Sequence, residues 1–151
     1  MPANRLPLRY LPAVLSQGAR GHRSPFRAFL YEPEIWALLE PYGCGWGDGG
    51  CAILAQAVCR WLNLSDEALR LVVDDRGLVQ HVVVVIGPLC IDGDGPVACE
   101  GFLRRYRSLE NLEYLHFEPF DVSRLGVIPM YTGITARRLA QRLRQRFGSP
   151  S

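Results

Sequence analysis

The chain has 151 residues, enough for one domain with its own core, and 48 % of them are apolar. That content, with 10 % aromatic residues, excludes a disordered chain. A formal net charge of only +2 gives no bulk electrostatic case for nucleic acid as a partner, and no apolar run is long enough to span a membrane.

Residues 1–30 are rich in Pro and Arg and read as an irregular, partly helical N-terminal extension, with one short helix over 10–17 and a loop over 18–25. Residues 33–40 predict a helix, with Pro33 in a favourable first-turn position and Ile35, Trp36, Leu38 and Leu39 to bury. A glycine-rich loop follows over 41–50. Residues 51–62 predict a central helix, with Leu54, Ala57, Val58, Trp61 and Leu62 on one face.

The period then changes. A short strand over 69–73 leads through Asp74-Asp75-Arg76-Gly77, a turn, to a strand over 78–86 that is apolar on both faces and therefore central. Gly87-Pro88 breaks it, and 89–92 returns as its neighbour. Residues 92–96 read as loop, 97–106 as helix and 114–117 as a further strand. The last element, within 134–147, is an amphipathic helix: Leu139, Leu143 and Phe147 lie on one side, and Arg137, Arg138, Arg142, Arg144 and Arg146 on the solvated side. One α+β domain spanning 1–151 results, with 51–95 as its catalytic core.

Cys44, Cys51, Cys59, Cys90 and Cys99 are odd in number and irregularly spaced, without a Cys-x-x-Cys pair, which predicts reduced thiols and no zinc site. Gly45-x-Gly47-x-x-Gly50 matches a dinucleotide fingerprint in letters only, because no strand precedes it, and neither a phosphate loop nor a calcium loop is complete. The expectation is no cofactor and no metal.

Cys51 stands apart. It follows Gly49-Gly50 and opens a helix, where unsatisfied N–H groups and a partial positive charge favour a thiolate. His81 begins a valine run and Asp92 comes on the next strand, giving a nucleophile, a base and an orienting acid in order. A tight turn at Gly87-Pro88 would set Ile86 opposite Leu89, Val83 opposite Asp92 and His81 opposite Asp94. His81, Asp92 and Asp94 would then share one face, with Asp94 the alternative acid. Cys44 is the rival nucleophile, flanked by glycines but without a helix start.

Three segments, Trp46-Gly47-Asp48-Gly49-Gly50-Cys51, His81-Val82-Val83-Val84 and Cys90-Ile91-Asp92-Gly93-Asp94-Gly95, together resemble the papain-like superfold, nearest its transglutaminase-like, NlpC/P60-like and bacterial toxin-deamidase branches. The resemblance implies a central helix, with the cysteine at its N-terminus, packed on a small antiparallel sheet. It also implies a Cys-His-Asp hydrolase or transferase acting on an amide bond of a protein or peptide. Cys51 would attack the carbonyl, His81 would take and return a proton, and Asp92 would orient His81. The N–H of Cys51 would supply part of the oxyanion hole. Where the papain branch carries a glutamine, this chain has a glycine-rich stretch, so Trp46, Asp48 and Gly50 become the oxyanion-hole or substrate-loop candidates. The size and the all-arginine basic set suggest a bacterial effector, toxin or phage accessory protein, either cytoplasmic or exported without a classical signal peptide. A non-catalytic binding module on the same fold, an arginine-rich adaptor for nucleic acid or protein, is the alternative, and a structural phage or scaffold protein is a third reading.

Overall fold

A computed structural model describes residues 24–47, 49–125 and 132–150. The helix expected over 10–17, and Asp48, lie outside the described residues. Among the described residues the fold is α+β, with five α-helices and a five-stranded antiparallel sheet.

Helix α1, Pro25–Leu30, starts at an Ser24 N-cap whose hydroxyl accepts the N–H of Arg27. Phe26 and Leu30 are fully buried, so this helix belongs to the core rather than to an N-terminal extension. Helix α2, Pro33–Trp36, passes into a 3-10 turn, Ala37–Tyr42, because Pro41 cannot donate to an α-helical ladder. Ile35 and Leu39 are buried as expected, but Trp36 is exposed and stacks on Tyr31 instead.

Helix α3, Cys51–Trp61, is the hub. Ala52, Ile53, Leu54, Ala55, Ala57, Val58, Cys59 and Trp61 are all buried, more than the single apolar face read from the sequence. A helix that is apolar nearly all round needs partners on two sides. Here they are the sheet on one side and helix α5, Thr132–Phe147, on the other. Ala136, Leu139, Ala140 and Leu143 bury the α5 stripe, and Phe147 packs at its end. Two of the arginines expected in water have partners: Arg146 forks onto Glu32, and Arg144 donates to the Arg60 carbonyl at the end of α3.

The strands are β1 (Leu69–Asp74), β2 (Val79–Ile86), β3 (Leu89–Asp92), β4 (Gly95–Ala98) and β5 (Leu115–Pro119), in the order β4-β3-β2-β1-β5. The valine-rich β2 is central, as a strand apolar on both faces must be. Val82, Val84 and Ile86 face α3, while Val83 faces the opposite layer. That layer is helix α4, Cys99–Leu109, which buries Phe102 and packs Leu103 and Tyr106 on the sheet. The 92–96 loop and 97–106 helix of the sequence reading are corrected here. Gly93 and Asp94 alone form a turn, β4 pairs with β3, and α4 begins at Cys99. An edge strand tolerates Pro96, whose missing N–H would break an interior ladder. Among the described residues no helix is long and apolar enough to cross a membrane.

Candidate functional site

The site is built at a place where the sheet stops short. Ile86 pairs with Leu89, Val85 with Cys90 and Val84 with Ile91, the register expected from the two-residue turn at Gly87-Pro88. In such a hairpin the hydrogen-bonded pairs fall at alternate residues, so the N–H of Val82 also points to the β3 side. By then β3 has ended at Asp92 and turned into β4. The N-terminus of α3 fills the notch. Cys51, at that N-terminus, sits beside the N–H groups of Val82 and Ala52, both of which favour a charged sulfur.

The side chain of His81 lies on the α4 face, beside this notch. It is buried, 4 % exposed, and its ring stacks on Phe102 at 6.1 Å and on Tyr106 at 5.3 Å. Nε2 of the ring is 3.3 Å from Oδ2 of Asp92, whose side chain is 11 % exposed. The other carboxylate oxygen accepts the N–H of Asp94 at 2.9 Å, which fixes its orientation. Nδ1 is buried and has no partner of strict hydrogen-bond geometry among the described residues, so it is the nitrogen left for the thiol.

Burial works against ionisation of the Cys51 thiol, but hydrogen bonding and charge from His81, with the two backbone N–H groups, outweigh it and lower its pKa. Burial likewise opposes a charge on His81, yet Asp92 first and Cys51 second raise its pKa to about 9. The two shifts act in the same sense, each favouring a proton on the nitrogen over one on the sulfur.

The other thiols are unlike it. Burial, with Asp66 nearby, pushes Cys59 up to about 12. It lines an open groove of about 550 Å³ at the far end of α3, with Arg60, Asn63 and Phe120. Cys90 is raised further by burial, and Cys99 is raised as well. Cys44 is half-buried against Gly49, in the loop before the helix.

Of the remaining candidates, the structure separates Asp94 from His81. Because the chain turns at Gly93, Asp94 never reaches the position opposite His81. Its oxygens bind Arg27 at 3.1 Å and Arg105 at 3.4 Å instead. Trp46 is buried in the core and its indole N–H donates to the Leu30 carbonyl at 2.7 Å, so that donor is committed to packing rather than to an oxyanion. The N–H of Gly50 is also taken, by the Gly45 carbonyl at 2.8 Å. That closure explains the glycine: a Cβ on residue 50 would come within 2.6 Å of the same oxygen. The N–H of Cys51, at the first helical position, has no intrahelical acceptor and is the donor best placed for an oxyanion.

The sequence reading missed Phe102, Tyr106 and the Val82 amide. The first two fall in a helix with no motif, and the third depends on where β3 stops. No family model matches the chain, and neither curated proteins nor solved structures yield a match.

Proposed function

We propose that this protein is a cysteine-dependent amide hydrolase or acyl transferase of papain-like type, with Cys51 as nucleophile, His81 as base and acid, and Asp92 as the group that orients His81. One observation carries the reading. A half-buried thiol at a helix N-terminus lies beside a buried imidazole that a carboxylate engages through Nε2.

The chemistry follows from those groups. The Cys51 thiolate adds to an amide carbonyl carbon, forming a C–S bond, and the oxygen takes the negative charge beside the Cys51 N–H. Collapse breaks the C–N bond, and the proton on His81 leaves with the amine. Water or an acceptor amine then attacks the thioester, His81 takes its proton, and the C–S bond breaks to restore the thiolate. Loss of ammonia followed by water makes this deamidation, loss of a peptide amine followed by water makes it cleavage, and an acceptor amine in place of water makes it transfer.

Two measurements test the proposal. Intact-mass labelling with iodoacetamide across pH, on wild type and Cys51→Ala, reads the thiol. Incubation with denatured protein substrates reads the chemistry, as released ammonia, new N-termini or incorporated dansylcadaverine. An inert Cys51 with none of the three products would favour the non-catalytic binding module.

A further inference from the structure

We propose that Tyr106 is a positioning residue for His81, setting the plane of the imidazole and the path of the backbone that carries it. The proposal rests on the reading of Cys51 and His81 as nucleophile and base.

The need for such a residue arises from the local backbone. Val72 pairs with His81 and Val73 with Val79, so Gln80 bulges out of the ladder directly before the histidine. A bulge re-aims neighbouring side chains and loosens the strand there. Gln80 is therefore tethered twice. Its side-chain Nε2 donates to the buried carboxylate of Asp74 at 2.8 Å, and its backbone carbonyl accepts the Tyr106 hydroxyl at 3.0 Å.

The same tyrosine acts on the ring. A histidine's second torsion has a broad, roughly two-fold preference, so the side chain's own torsional preference leaves the plane poorly fixed. The rings of Tyr106 and Phe102 both lie nearly parallel to His81, each tilted by 16°. With the plane fixed, Asp92 takes Nε2 and Nδ1 is held toward the sulfur. Phe102 is a fully buried core residue, and changing it would disturb packing widely. Tyr106 is half-buried, and its ring and hydroxyl can be removed separately.

The test is the pH profile of Cys51 alkylation by iodoacetamide, read by intact mass with peptide mapping, for wild type, Tyr106→Phe, Tyr106→Leu and His81→Ala. Thermal melting confirms folding. Tyr106→Leu should move the acid limb about one pH unit toward the ordinary thiol range, making labelling roughly tenfold slower at pH 6.5, with rates above pH 9.5 unchanged. Tyr106→Phe, which keeps the stack, should move it in the same direction by less. Profiles of both variants superimposable on wild type, while His81→Ala is shifted, would overturn the positioning role. A His81→Ala profile identical to wild type would instead remove the Cys51–His81 pairing itself. Should Tyr106→Leu fail to fold, Tyr106→Phe decides: an unmoved limb counts against the proposal.

Discussion

Asp92 reaches His81 diagonally across the β2–β3 pair, with its second oxygen held by the N–H of Asp94. The carboxylate is thus a fixed acceptor that selects one ring nitrogen. His81→Ala should abolish turnover, because losing the base costs nearly as much as losing the whole triad. Asp92→Asn should weaken turnover by roughly two orders of magnitude less than that. Asp94→Asn should leave turnover near wild type and alter stability little, since its ion pairs with Arg27 and Arg105 are part-exposed. Steady-state kinetics on whichever amide product is detected checks all three, and a severe Asp94→Asn defect beside a silent Asp92→Asn would reverse the assignment.

Among the five thiols, alkylation near neutral pH should map to Cys51. Its pKa is lowered, whereas burial holds Cys59, Cys90 and Cys99 above the ordinary thiol value. Peptide mapping after brief labelling reads the order directly. Label concentrated on Cys44 would transfer the nucleophile to the loop.

Stability should respond to pH through two opposed slopes. The folded pKa of His81 is raised to about 9, so its contribution is complete below its ordinary 6.5 and is lost as pH rises through about 9. That of Cys51 is lowered from an ordinary 9, so its contribution is complete above 9 and is lost as pH falls through the folded value. In Cys51→Ala the Cys51 slope is lost, and Asp92 remains as the group that raises His81 against its burial. The unfolding free energy of that variant should fall from pH 6.5 to 9 relative to wild type. Urea titrations at both pH values measure the difference, and parallel curves would argue against a shared proton.

Gly50→Ala should damage the site without touching its chemistry. The new methyl group would meet the Gly45 carbonyl, a backbone atom, so the loop must open and the start of α3 must move. Labelling of Cys51 should slow and the melting temperature should drop. Retention of both would mean that the loop yields without moving the helix.

Leu143→Ala should cost about 2–5 kcal/mol, the usual range for a fully buried leucine. Arg142→Gln should have little effect. Arg146→Gln, which loses an exposed fork to Glu32, should alter stability only slightly. Thermal and urea unfolding of the three variants compares them.

The register of the β2–β3 hairpin was legible because Gly87-Pro88 leaves few ways to turn, and that register alone brings Asp92 to the face of His81. The ranking of Asp92 over Asp94 was not. It depends on a second tight turn at Gly93, hidden in a glycine- and aspartate-rich stretch that reads equally well as a loop. Strand β4 was illegible for a related reason: Gly95 and Pro96 are poor strand formers, and only pairing with β3 makes them one. Trp46 misled because a tryptophan beside a candidate nucleophile suits a substrate wall as well as a core. The Leu30 carbonyl that claims its N–H is 16 residues away in sequence.

The sulfur of Cys51 lies beside the Val82 amide, on the side where a longer β3 would pair. Thiol and β-strand are therefore rivals for one place. Two residues inserted after Asp92, letting β3 run on along Val82, would displace the sulfur from that place.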